Sequence, residues 1–112
     1  MSNARKGADF ERRVKAHLES LGYYVVKSGG SKGAADLVAC KVGRMTLFVQ
    51  CKYGGEMRPA EWNALMEAAE KAGAMPIMAK YKRGGADYFR LTGRKSGIRG
   101  VKAPMTRIEV KG

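Results

Sequence analysis

The sequence predicts an α/β fold in which helices flank a mixed central β-sheet. Three observations carry that expectation. The 112 residues suffice for a single domain, residues 1–112, with one modest core. The apolar spacing switches between a helical repeat and short strand-like runs. The resulting order is helix, three strands, helix, then two or three strands, which calls for a layered sheet-and-helix architecture.

Residues 8–21 form the first predicted helix, because Phe10, Val14, Leu18 and Leu21 recur on one helical face and Gly22 ends the pattern. Residues 23–27, Tyr-Tyr-Val-Val-Lys, have the aromatic and β-branched content of a strand, and residues 28–33 are a polar, glycine-rich loop. Residues 34–41 and 45–53 are two apolar runs around Val42-Gly43-Arg44, the pattern of an antiparallel hairpin. A three-residue loop opposes Lys41 to Met45 and therefore Asp36 to Gln50, with Gln50 and Lys52 on the face of Asp36. A two-residue loop slips the register and separates them.

Pro59 to Gly73 is the second predicted helix, with an apolar stripe of Trp62, Leu65, Met66 and Ala69 assigned to the core. Residues 76–81 and 87–91 are strands joined by residues 82–85, and residues 106–110 a weaker closing strand. Between Thr92 and Pro104, Arg94, Lys95, Arg99 and Lys102 lie among three glycines, which reads as a loop or arm on nucleic acid or as a solvated surface. Gly29, Gly30 and Gly33 precede a strand rather than a helix, which excludes a dinucleotide-binding cradle.

Twenty-two Lys and Arg against ten Asp and Glu give a formal charge of +12. Such density on a small body calls for a polyanionic partner, nucleic acid first, since basic side chains on phosphates release condensed counterions. A membrane span is excluded because no run approaches the ~20 apolar residues needed. The polar, basic start at Met1 to Lys6 lacks the apolar stretch of a secretion signal, so a cytoplasmic protein is expected. Cys40 and Cys51 fall in strand-like runs and are expected as buried, reduced thiols. One histidine and no paired cysteine motif leave no tetrahedral zinc site.

Asp36, Gln50 and Lys52, with Glu11 on the preceding helix, have the residue types that a metal-dependent phosphodiesterase needs. The oxygens of Asp36 and Gln50 suit a hard divalent ion, and Lys52 offers charge to the attacked phosphate. Each has a plainer reading: Glu11 a solvated charge paired with Lys15, Lys52 the end of its strand, Ser31 loop filler and His17 a surface residue. Asp36 is harder to dismiss, because a carboxylate at the buried edge of a strand needs a partner or a metal.

Lys6-Gly7, Glu11-Arg12, Val26-Lys27, Ser31, the run Ala35-Asp36-Leu37-Val38-Ala39 and Val49-Gln50-Cys51-Lys52 together resemble the Hjc-type Holliday junction resolvases of the PD-(D/E)xK nuclease superfamily. The resemblance spans about residues 6–81 and implies a restriction-endonuclease-like core. It also implies a homodimeric endonuclease that resolves four-way DNA junctions with Mg²⁺, or Mn²⁺ as substitute. By that resemblance Asp36 is the central metal ligand, Glu11 a carboxylate reaching the metal directly or through water, and Lys52 the lysine of the attacking water. Gln50 and the backbone carbonyl of Cys51 complete the ligand set, and Ser31 is the serine near the scissile strand. Lys6, Arg12, Lys27, Ser31 and Lys32 are the implied DNA contacts.

The chain departs from the strict motif at Gln50, where a carboxylate is usual, and at Ala35, where proline is usual. Related Mrr-like nucleases also carry the glutamine form. Glu61 falls near a position where the family often has glutamine, and no role is assigned to it. Two alternatives stand beside junction resolution: restriction-like or repair cleavage of duplex DNA, and a non-catalytic DNA-binding module of the same fold.

Overall fold

The computed structural model describes residues 3–28 and 34–112. The described chain holds helix α1 (Asn3–Ser20), strands β1 (Tyr24–Lys27), β2 (Leu37–Cys40) and β3 (Leu47–Lys52), helix α2 (Pro59–Ala72), and strands β4 (Met75–Lys82), β5 (Gly85–Leu91) and β6 (Met105–Ile108). No helix is long and apolar enough to cross a membrane among these residues.

The six strands lie in one sheet in sequence order. Neighbours are antiparallel except β3 and β4, which run parallel because α2 carries the chain from the end of one to the start of the other. That single crossover makes the sheet mixed, as the element order requires.

The two helices cover opposite faces. Phe10, Val14 and Leu18 of α1 are fully buried with Val25, Leu37, Ala39, Val49, Ile77 and Ala79. Burying side chains of this size contributes roughly 1.5–3 kcal/mol each. Trp62 and Leu65 of α2 are buried with Met57, Met78 and Leu91 on the other face, and Phe48 and Met66 pack against them. Alternation along β3 explains the split: Val49 belongs to the α1 side and Phe48 to the α2 side.

α1 begins at Asn3 rather than Ala8. Its first turn lacks an apolar repeat, but Ala, Arg and Lys favour helix without one. α2 begins with Pro59 at its first turn and ends on Gly73, whose φ of 66° lets the chain leave in the left-handed conformation. The β4–β5 connection is tighter than predicted: Lys82 pairs with Gly85, leaving Arg83 and Gly84 as the turn, with Gly84 at φ 82°.

The β2–β3 register is the predicted one, with Leu37 opposite Val49 and Ala39 opposite Leu47. Pairing stops short of the loop, however, and Lys41 to Thr46 lie outside the strands. The cysteine expectation is corrected. Cys40, the last residue of β2, points outward and is exposed, while Cys51 is half-buried; both are free thiols.

Residues 92–104 are irregular, as predicted, but not a free arm. Trp62 donates its indole N–H to the Gly93 carbonyl at 2.7 Å, and Asn63 holds the Lys95 backbone at both its N–H and its carbonyl. Lys95 Nζ donates to the Met57 carbonyl at 2.6 Å and lies over the Trp62 ring. One of the four basic residues assigned to this segment is thus committed to holding it against α2.

Candidate active site at the end of the β2–β3 hairpin

Asp36 precedes β2 at the point where the ladder to β3 ends. Its backbone N–H donates to the Val49 carbonyl at 2.9 Å, and its carbonyl accepts from Ser28 N–H at 2.8 Å. Its carboxylate then accepts the N–H of Cys51 at 2.8 Å. Held at Val49 and Cys51, Asp36 stands astride Gln50, as the hairpin count predicts. Both alternate away from Leu37 and Val49, which point to α1, so Gln50 and Lys52 open toward α2.

The Asp36 carboxyl is held above the usual carboxylate range. Burial is the main cause; the Cys51 N–H and the Lys52 charge oppose it, while Glu11 and Glu61 add to it. A half-buried carboxylate that feels two others favours an added positive charge. The Cys51 thiol is also pushed up, by burial first and then by Asp36 and Glu11, so it stays a neutral thiol beside the site.

Glu11 reaches the site from α1. It pairs with Lys27 of β1 at 3.5 Å, not with Lys15, which pairs with Glu19. The plain i,i+4 reading of Glu11 is therefore replaced by a contact across elements. Lys52, at the end of β3, donates to Glu61 Oε2 at 2.7 Å, and Glu61 comes from the first turn of α2. That bond holds the Glu61 carboxyl below its usual range.

Glu61, to which the sequence analysis assigned no role, is thus placed by the structure against Lys52. Its position two residues after Pro59, in the first turn of a helix that follows the lysine strand, was the available signal. Its other carboxylate oxygen accepts the Arg58 N–H at 3.4 Å, so the side chain joins the start of α2 to the end of β3.

The structure thus brings together Glu11, Asp36, Gln50, Lys52 and, through Glu11, Lys27. Arg12 lies on the exposed side of α1, paired with Asp9, and Lys6 is half-exposed nearer the start of the same helix. Ser31 and Lys32 lie outside the described residues. His17 stacks on Tyr88, and its Nδ1 lies 2.8 Å from the Tyr88 hydroxyl, whose pKa burial pushes up to about 12.

Among the described residues no three His, Cys, Asp or Glu side chains converge tightly enough to enclose a metal. Magnesium does not need such a cage, because it keeps several waters and takes one or two carboxylates plus substrate phosphate. Asp36 and Glu11, with the amide oxygen of Gln50, which makes no hydrogen bond to another described residue, fit that partial coordination.

A mixed sheet clasped by a helix on each face, with carboxylates and a lysine gathered at the end of its central hairpin, defines a restriction-endonuclease-like α/β fold. The chain belongs to the archaeal Holliday junction resolvase (Hjc) family, whose model matches residues 2–102. It is 35% identical over 79 residues to the crossover junction endodeoxyribonuclease Hjc of Methanocaldococcus jannaschii, an alignment covering 67% of this chain and 58% of that protein. The chain thus spans little more than half the length of that curated relative. Its fold resembles the solved structure of Archaeoglobus fulgidus Hjc, a Holliday junction resolvase from an archaeal hyperthermophile. That match has a TM-score of 0.67 and 26% identity over 81% of this chain and 79% of the other.

Proposed function

We propose that this chain is a divalent-metal-dependent endonuclease that resolves four-way DNA junctions, acting as a homodimer so that two sites cut two strands symmetrically. The observation that carries the reading is the Asp36 carboxylate fixed on the Cys51 N–H, astride Gln50 and in electrostatic reach of both Glu11 and Lys52.

Asp36 is the central oxygen ligand, and the hydrogen bond from Cys51 orients it. Glu11, Gln50 and the Cys51 carbonyl provide the remaining protein oxygens. Magnesium, or manganese in its place, supplies Lewis acidity and an activated water when bound. Lys52 offers its ammonium to the attacking water and to the charge that grows on the phosphate; Glu61 fixes where that ammonium points. Lys6, Arg12, Lys27, Ser31 and Lys32 contact the DNA backbone, supported by the overall charge of +12.

Cleavage of a synthetic four-way junction and of linear duplex, with and without Mg²⁺, tests this reading in wild type and Asp36→Ala. Junction cleavage that requires both metal and Asp36 is expected. Equal cutting of linear duplex would replace junction resolution with a restriction or repair activity. Binding without any metal-dependent cleavage would leave a DNA-binding module.

A further inference from the structure

The charge balance of the site turns on Glu61. Asp36, which feels the Glu11 charge, would hold the divalent cation together with Glu11 and the neutral amide of Gln50. Lys52 brings a positive charge to the same place, since its field reaches Asp36. Left alone, that ammonium cancels one carboxylate and repels an incoming cation. Glu61 sits against it at 2.7 Å, and its own field reaches Asp36 as well. Glu61 therefore offsets the Lys52 charge that Asp36 would otherwise feel. Lys27 beside Glu11 and Arg58 beside Glu61 are weaker counterweights, because both side chains are exposed and their charges are screened by solvent.

We infer that Glu61 is a positioning residue for the metal as well as for Lys52: it supplies from α2 the negative charge that Gln50 does not supply from β3. It does so without touching the ion, by neutralising the lysine that would oppose it. The inference rests on the metal-site reading above and extends it to a residue on a different element.

The test is binding of Mn²⁺ alone, followed by electron paramagnetic resonance and calorimetry, in wild type, Asp36→Ala, Glu61→Gln and the double variant Gln50→Glu/Glu61→Gln. Glutamine keeps an oxygen acceptor for the Arg58 N–H, so α2 retains its start and thermal unfolding monitors that. Glu61→Gln is expected to weaken Mn²⁺ binding about tenfold or more, the scale of lost outer-shell partners. The double variant is expected to recover most of that loss, because the negative charge returns on the strand. Mn²⁺ affinity unchanged in Glu61→Gln overturns the inference while leaving the site reading intact. A loss that the double variant fails to recover also overturns it, and assigns Glu61 to local structure. Mn²⁺ binding that survives Asp36→Ala overturns the site reading itself, and the inference with it.

Discussion

The two helices each send one carboxylate toward the same strand ends, and the two are held very differently. Glu11 of α1 meets an exposed lysine at 3.5 Å, whereas Glu61 of α2 meets a lysine that is only 20% exposed at 2.7 Å. A loosely paired carboxylate in reach of a half-buried aspartate remains free to take a ligand. A tightly paired one is already spent on aiming its partner. In the proposed site this contrast corresponds to binding on the α1 side and orientation on the α2 side.

The largest effect expected is at the residue both sides share. Asp36→Ala removes the proposed central oxygen ligand and should lower metal-dependent junction cleavage by about a thousandfold or more, measured in single-turnover assays. A residual rate near wild type would dissolve the comparison, since neither helix would then serve Asp36.

The next effect is on stability and concerns the α2 side. Trp62→Ala opens a cavity under α2 and removes the hydrogen bond to Gly93, so a loss of about 3–5 kcal/mol is expected in urea unfolding. Faster amide exchange in residues 92–104 should accompany it, because that segment is held by Trp62 and Asn63. Exchange unchanged there would show the segment to be anchored elsewhere.

A smaller effect of opposite sign belongs to Asp36. Its folded pKa is raised, so the ionised form is disfavoured in the fold. That cost is absent below the ordinary carboxylate range and present in full above the raised value. Asp36→Asn removes it while keeping an acceptor for the Cys51 N–H. Without divalent metal, the melting temperature should therefore rise by a few degrees at neutral pH and change little in acid. A melting temperature that falls at neutral pH would mean that the carboxylate is a net structural asset.

The smallest effect tests the loose pair. Lys27→Ala should alter stability by no more than about 0.5 kcal/mol, because an exposed ion pair at this distance gains little against water and salt. Its effect should instead fall on DNA affinity and its salt dependence. A large stability loss would show Glu11 to be as firmly held as Glu61.

The α/β class and the Asp36–Gln50–Lys52 alignment were legible because each rests on local regularities, and the family was legible through the resemblance of the motif residues. Phe10, Val14 and Leu18 recur at helical spacing, and the hairpin count around Val42-Gly43-Arg44 returned the observed register of Leu37 on Val49. Less legible were features without a periodic signal. The first turn of α1 has no apolar repeat. Cys40 sits in an apolar run yet alternates outward at the strand end. Residues 92–104 carry charges that look free in sequence, while Lys95 is turned inward onto Met57 and Trp62.

By itself the sequence determined the order of helices and strands, the register that sets Asp36 opposite Gln50 given a three-residue loop, and the basic charge that calls for a polyanion. These follow from spacing and composition, which act over a few residues or over the chain as a whole. Only the tertiary structure decided which carboxylate meets which cation: Glu11 with Lys27 across the sheet edge, and Glu61 with Lys52 across the β3–α2 turn. Such pairings depend on where a helix comes to rest against a sheet, and that is settled by the packing of buried faces such as Trp62 and Leu65, not by the polar residues that packing brings together.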